Sequence, residues 1–134
     1  MIEHIKNKHR GLKLTPQRLA ILDFLDGNSS HPSAEDIFSA IKEKYPTISF
    51  ATVYNTLDSL KKRGDLLELT IDPSRKHYDP DTRPHHHILC SRCGKIGDIF
   101  DERLKIEIES KDFAGFIISS YHINFKGVCI ACSS

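Results

Sequence analysis

Four cysteines stand in two Cys-x-x-Cys pairs, and the chain contains no others. Two residues between paired cysteines let both sulfur atoms of one turn bind a single ion, and thiolates are preferred ligands of structural zinc. In a reducing compartment two such pairs indicate a metal site before disulfides. A redox dithiol and an iron–sulfur cluster are the alternatives, and no βαβ pattern surrounds either pair to support the dithiol. We therefore predict a structural Zn²⁺ site formed by Cys90, Cys93, Cys129 and Cys132.

Histidines and aspartates near the first cysteine pair form a second set of candidate metal ligands. Because side chains alternate along a strand, His85 and His87 are predicted on one face and His86 on the other. Asp79 stands shortly before them, and Asp98 lies on the next predicted strand. Imidazole and carboxylate groups together suit Fe²⁺, Mn²⁺ or Zn²⁺ better than Ca²⁺. From composition and spacing alone, ordinary surface or core histidines account for this set equally well.

The elements that would position these residues begin with three predicted helices in the first half of the chain. Each is preceded by a hydroxyl residue that can cap it, and each carries apolar side chains at helical spacing. The capping residues are Thr15, Ser33 and Ser49. Two apolar segments, 66–70 and 76–78, then flank Asp72-Pro73-Ser74 and predict a β-hairpin. Three helices followed by a hairpin predict a winged helix-turn-helix domain over residues 1–80.

The second half of the chain changes character after Pro80 and Pro84. Short apolar segments predict strands at residues 88–89 and 96–100, and a charged stretch over residues 101–111 predicts a helix. Residues 116–125 are rich in β-branched and aromatic side chains and predict further strand. Residues 81–134 are therefore predicted to form a small α/β domain, and the fold class of the whole chain is α+β.

The composition limits the class of protein. The net charge is only +1, but cations cluster before residue 19 and again at Lys61-Lys62-Arg63, which suits contact with phosphate groups. No apolar run approaches the roughly 18 residues of a membrane span. Residues 1–14 are basic and polar, without the apolar stretch of a signal peptide. We expect a soluble cytoplasmic protein.

Five segments of the chain, taken in order and spacing, resemble the ferric uptake regulator family over nearly the whole length. They are Leu14-Thr15-Pro16-Gln17-Arg18, residues 31–38, residues 51–57, residues 85–95 and residues 127–132. Within the family the chain is more similar to the peroxide-sensing branch. Asp98 stands where iron-sensing members usually carry glutamate, and Asn55 stands where they tend to carry arginine.

The resemblance implies a transcriptional repressor rather than an enzyme. It implies a homodimer, joined through residues 81–134, that binds double-stranded operator DNA. It also implies a regulatory Fe²⁺ or Mn²⁺ site whose ligands come from both domains, namely His31, Asp79, His85, His87 and Asp98. Hydrogen peroxide is the implied signal: iron-catalysed oxidation of His31 or His85 would release the metal and then the DNA.

The third predicted helix is the implied recognition helix. Asn can pair with adenine in the major groove, and Tyr can contact a thymine methyl group or a phosphate. The predicted base contacts are Thr52, Tyr54 and Asn55. Phosphate contacts position a protein without specifying sequence. The predicted phosphate contacts are Lys13, Arg18, Lys61 and Lys62. The alternative for Tyr54 is packing of its ring against the wing.

Three other functions compete with this interpretation. A family member that senses iron or zinc availability would share fold, zinc and DNA binding. A small metal-dependent hydrolase is disfavoured because the sequence has no HExxH pattern. A purely structural zinc module would leave the basic segments unexplained. We predict no third metal site, because other residues occupy the positions at which some members have its ligands. They are Pro84, Lys105 and Tyr121, with His122 one position away.

Overall fold

The structure is a computed structural model that describes residues 2–106 and 112–133. The chain divides into two compact units, Met1–Arg83 and Pro84–Ser134, and each is described by itself. Among the described residues, no helix is long and apolar enough to cross a membrane.

Three capped helices form the body of the first unit. At each start a hydroxyl side chain accepts a hydrogen bond from the backbone N–H three residues further on. Ser33 and Asp36 add the reciprocal bond of a capping box. The three predicted helix starts are confirmed: α2 is Pro16–Leu25, α3 is Ala34–Lys44 and α4 is Phe50–Lys62.

A further helix, α1 (Ile2–Lys8), precedes them and is not among the predicted helices. Its Ile5 is only 1% exposed and joins the core that α2, α3 and α4 share. Full burial of such an aliphatic side chain contributes about 1.5–3 kcal/mol to folding. The core of this unit is built largely from Ile5, Ile21, Leu22, Ile37, Val53, Leu57 and Leu60.

The predicted hairpin follows α4 and completes a winged helix-turn-helix. Strands β1 (Leu67–Leu69) and β2 (His77–Asp79) pair antiparallel, with Leu67 opposite Asp79 and Leu69 opposite His77. In the turn between them, Asp72 Oδ1 accepts hydrogen bonds from the backbone N–H and the hydroxyl of Ser74, at 2.9 and 2.7 Å. This aspartate turn is why the two short strands meet in this register.

The second unit is a small three-stranded sheet with short elements around it. Strands β3 (His86–Cys90) and β4 (Ile96–Ile99) pair antiparallel, and β7 (Asn124–Gly127) pairs parallel to β3, giving the order β4-β3-β7. Strands β5 (Asp112–Phe113) and β6 (Phe116–Ile117) form a separate hairpin, and α5 (Ile130–Ser133) ends the chain. The predicted α+β class is confirmed.

Two predictions for the second unit need correction. Residues 101–106 contain a turn instead of the predicted helix, because the Asp101 carboxylate accepts hydrogen bonds from the backbone N–H and guanidinium of Arg103. Such local side-chain bonds compete with helical ones. The rest of that stretch, residues 107–111, lies outside the described residues. Residues 118–123 are not strand, since β6 ends at Ile117 and β7 begins at Asn124.

Candidate metal centres and nucleic-acid interface

The sheet of the second unit brings the four cysteines together. Cys90 ends β3 opposite Gly127 of β7, so the residue two positions later, Cys129, comes close to it. The four Sγ atoms all lie within 4.8 Å of one another, and Cys93 Sγ is 3.7 Å from Cys129 Sγ. Four sulfurs bound to one tetrahedral zinc at about 2.3 Å would lie about 3.8 Å apart. The geometry therefore fits the predicted zinc site.

Backbone N–H groups and neighbouring thiols give the cysteines unequal proton affinities. Hydrogen bonds from the backbone N–H of Cys129 and of Cys93, at 3.3 and 3.5 Å, lower the pKa of Cys90 to about 5. Hydrogen bonding with the Cys129 and then the Cys93 thiol raises the pKa of Cys132 to about 12. One thiolate thus forms readily while another resists ionisation. A divalent cation would compensate the accumulated charge and release the remaining protons.

The first unit contains a buried imidazole–carboxylate pair. His31 lies in the loop between α2 and α3, and Asp79 ends β2. His31 Nε2 is 3.4 Å from Asp79 Oδ2, and the two side chains are 2% and 1% exposed. The other Asp79 oxygen accepts a hydrogen bond from the backbone N–H of Asp81 at 2.9 Å. Buried charged groups are generally paired or bound to metal, so His31 and Asp79 are candidate metal ligands.

The second unit contains a matching group on one face of its sheet. His87 stands opposite Asp98 in the β3–β4 pairing. Asp98 Oδ1 lies 2.9 Å from His85 Nε2 and 3.2 Å from His87 Nε2. On the other face, His86 Nδ1 accepts a hydrogen bond from the Ile123 N–H at 3.0 Å. The predicted alternation is therefore confirmed, and the nitrogen and oxygen donors of this group suit Fe²⁺, Mn²⁺ or Zn²⁺.

Three side chains beside these groups were not predicted. His122 Nε2 lies 2.9 Å from His87 Nδ1, and burial, followed by the charges of nearby histidines, lowers the pKa of His122. The ring of Phe100 stacks on His85 with centroids 4.4 Å apart. His77 contacts the backbone of His31. Only His77 had a local signal, because strand alternation places it on the same face of β2 as Asp79.

The predicted base-contacting residues lie in the first half of α4. The hydroxyl of Thr52 is 2.9 Å from that of Ser49, the residue that caps the helix. Asn55 is exposed, and Tyr54 is 42% exposed, so a large part of its ring is accessible to solvent. Base contact by these three residues remains a prediction.

Three of the four predicted phosphate contacts have partners within the first unit, namely Arg18, Lys61 and Lys62. The Arg18 guanidinium donates to the Lys13 carbonyl at 2.9 Å. Lys61 is 3.2 Å from Glu68, and Lys62 is 2.9 Å from Asp58, whose hydrogen bond raises the pKa of Lys62. An exposed ion pair contributes only about 0–1 kcal/mol. The pair of Lys62 with Asp58 is exposed, so a phosphate can replace this acid at little cost.

Comparison with known proteins agrees with the earlier resemblance. The ferric uptake regulator family matches residues 9–126. The peroxide operon regulator of Bacillus subtilis is 39% identical over 127 residues, which cover 94% of this chain and 88% of that protein. The Campylobacter jejuni peroxide stress regulator has a TM-score of 0.68 at 30% identity, with 98% and 99% of the two chains covered.

A second solved structure extends the comparison beyond the peroxide regulators. The ferric uptake regulator of Francisella tularensis, determined with iron, has a TM-score of 0.77 at 28% identity, and 94% of this chain and 98% of that chain are covered. The family match spans the winged helix, both imidazole–carboxylate groups and the first cysteine pair. The chain described here belongs to the ferric uptake regulator family.

Proposed function

We propose that this chain is a metal-dependent transcriptional repressor of the cytoplasm that senses hydrogen peroxide and binds operator DNA as a homodimer. The observation that carries the proposal is the presence of imidazole–carboxylate groups in both units, buried except for the partly exposed Asp98, in a chain 39% identical to a peroxide operon regulator.

We propose that the winged-helix domain covers residues 1–80 and that residues 81–134 form the dimerisation and metal-binding domain. One Fe²⁺ or Mn²⁺ ion would take ligands from both, and so hold the recognition helices of the dimer at a fixed spacing. Half-site spacing decides whether both helices enter the major groove. Metal binding is thereby converted into DNA affinity. The proposed ligands are His31, Asp79, His85, His87 and Asp98.

The chemistry of the signal is assigned to two imidazoles. Bound Fe²⁺ would start the reaction by one-electron transfer to peroxide. Over the whole reaction the imidazole ring would be oxidised by two electrons, one oxygen atom of H₂O₂ would be added to it, and the other would leave as water. His31 or His85 is the residue that would carry the added oxygen, and an oxidised ring is a poorer donor. The two domains would then lose their common ligand set, and the repressor would leave the DNA. With Mn²⁺ the same residues would support DNA binding without oxidation.

Zinc has a separate role in this proposal. Cys90 and Cys93 would bind the ion together with Cys129 and Cys132, and so hold α5 and the end of β7 against β3. A small domain has too little apolar area to be stable by burial alone, and a structural metal compensates for this. No regulatory role is assigned to this ion.

Contacts with DNA are assigned to α4 and its basic surroundings. The exposed side chains of Tyr54 and Asn55, with Thr52 beside them, would contact bases in the major groove. Phosphates would be bound by Lys13, Arg18, Lys61 and Lys62. Substitution of a phosphate-binding lysine should weaken binding to all sequences alike and reduce its salt dependence.

The test is the intact mass of the zinc-loaded protein, carrying Fe²⁺ or Mn²⁺, before and after dilute hydrogen peroxide. Binding to a duplex selected from random DNA by the Mn²⁺ form is followed in parallel. We expect only the Fe²⁺ form to gain one oxygen, on His31 or His85, and to release the duplex. The Asp98→Glu variant, one methylene longer, should bind metal but oxidise more slowly. Metal-switched DNA binding without oxidation of either form would instead identify a regulator of iron or zinc availability.

A further inference from the structure

The imidazole of His77 connects the turn of the wing to the loop that carries His31. Its Nδ1 lies 2.7 Å from the carbonyl oxygen of His31, and its Nε2 lies 2.9 Å from Asp72 Oδ2. Both partners are oxygens that can only accept, so His77 Nδ1 donates to the carbonyl, and the contact with Asp72 is a second donated hydrogen bond when Nε2 also carries a proton. The His77 and Asp72 side chains are 12% and 19% exposed, so solvent competes little for either contact.

The backbone of His31 has an unusual conformation that needs such support. Its φ of 54° lies in the left-handed region, which residues other than glycine rarely adopt. Two contacts attach this segment to β2: the N–H of Tyr78 donates to the Pro32 carbonyl at 2.9 Å, and Ser33 forms an isolated bridge with His77. The bond from His77 to the His31 carbonyl acts directly on the residue with the strained backbone.

Asp72 is itself held in place by the turn that it forms. One carboxylate oxygen accepts both hydrogen bonds from Ser74, while the other faces His77. The hydrogen bond from His77, followed by those from Ser74, lowers the pKa of Asp72 to about 2. The carboxylate is therefore a fixed acceptor that orients the His77 ring toward the His31 carbonyl.

We propose that His77 and Asp72 are positioning residues of the regulatory metal site. They hold the His31 backbone in the conformation that presents its imidazole to Asp79, at the 3.4 Å separation of Nε2 from Oδ2. This inference rests on the proposed function, because it takes His31 and Asp79 as ligands of the regulatory ion. Partners that orient metal ligands typically change metal affinity about 10- to 100-fold when they are removed.

Two amide variants test the hydrogen bonds of the two His77 ring nitrogens separately. In His77→Asn the amide nitrogen lies near the position of Nδ1 and can still donate to the His31 carbonyl. In His77→Gln it lies near the position of Nε2 and reaches only Asp72. His77→Phe removes both bonds. The matched control is His4→Phe, because His4 is a largely exposed histidine of the same unit, with 65% side-chain exposure.

The experiment measures Mn²⁺ affinity of the zinc-loaded full chain by electron paramagnetic resonance, with zinc content and thermal melting recorded alongside. We expect His77→Gln and His77→Phe to weaken Mn²⁺ binding about 10- to 100-fold, while zinc content stays unchanged. His77→Asn should restore affinity to within about threefold of the wild type, since it keeps the bond to the His31 carbonyl. A purely structural role for His77 would not favour one amide over the other.

The wild-type protein and His31→Ala separate failure of this inference from failure of the proposed function. If the wild type binds Mn²⁺ no more tightly than His31→Ala, the regulatory site is wrongly assigned and both proposals are overturned. If His31→Ala loses Mn²⁺ while all three His77 variants match the wild type, only the positioning role is overturned. Equal weakening in the Asn and Gln variants would also overturn it. Should His77→Phe fail to fold, the two amide variants still decide.

Discussion

The two groups of candidate metal ligands differ in where their residues come from and in how they are buried. All four cysteines belong to the second unit, and Cys93 is exposed. The histidines and aspartates are divided between the two units, and all but the partly exposed Asp98 are buried. A site within one unit can stabilise only that unit. In the proposed function, an ion that takes ligands from both units would instead couple metal binding to DNA binding.

Loss of a cysteine should have the largest effect, because the second unit has few other sources of stability. We expect Cys129→Ser to lose zinc and to abolish cooperative melting of residues 84–134, since structural zinc contributes on the order of 10 kcal/mol at neutral pH. Zinc content and circular dichroism measure this. A Cys129→Ser protein that binds no zinc and melts like the wild type would show that zinc does not stabilise the second unit. The proposed difference between the cysteine site and the histidine–aspartate site would then be wrong.

Loss of a buried histidine should affect regulation and leave the zinc site intact. We expect His87→Ala to lower Mn²⁺ affinity about 100-fold or more and to abolish metal-dependent DNA binding, with zinc content unchanged. His86→Ala is the matched control, because His86 is the next residue on β3 but lies on the opposite face. Calorimetric titration with Mn²⁺ and a DNA mobility-shift assay measure both effects. Equal losses in the two variants would contradict the assignment of His87 as a ligand.

Substitution of His122 should lower Mn²⁺ affinity less than substitution of His87. If His87 binds metal through Nε2, its Nδ1 carries the proton and donates to His122 Nε2, which lies 2.9 Å away. Removing this acceptor in His122→Phe should lower Mn²⁺ affinity about tenfold, within the usual range for partners of metal ligands. His122→Gln, which can accept through its amide oxygen, should recover most of the loss. Unchanged affinity in His122→Phe would show that His87 is oriented by the sheet alone.

The smallest expected effect concerns His9, a buried histidine that belongs to neither group of ligands. Among the described residues its Nδ1 has no hydrogen-bond partner. It lies 3.7 Å from Asp65, and burial, as the largest cause, lowers the pKa of His9 below 6.5. Because the unfolded chain takes up this proton first, stability is complete above about pH 6.5 and declines as pH falls toward the folded-state pKa.

Urea unfolding of the zinc-loaded wild type and of His9→Leu, between pH 7.5 and 5.5, measures this contribution. Both proteins carry the same cysteines, histidine ligands and zinc, so the acid sensitivity of the metal sites cancels in their difference. We expect the wild type to lose more stability than the variant over this range. Parallel pH profiles would assign the acid sensitivity of the whole chain to its metal ligands.

Local sequence determined most of the helices, the wing and both sets of candidate ligands. Helix starts at Thr15, Ser33 and Ser49 follow from hydrogen bonds within three residues, and the Asp72 turn closes within two. The alternation of His85, His86 and His87 follows from strand geometry. The cysteine site was predictable because the spacing within each pair is itself part of the coordination geometry.

Tertiary structure decided what lies beside those ligands. His122 is 35 residues from His87, and His77 is 46 residues from His31, so only the pairing of β7 with β3 and the return of the wing bring them into contact. Helix α1 forms against a core that the other helices supply. In the described part of the helix predicted at residues 101–111, a turn formed by Asp101 and Arg103 replaces it. Short-range hydrogen bonds can be predicted from sequence, whereas contacts between distant residues depend on the register and packing of the folded chain.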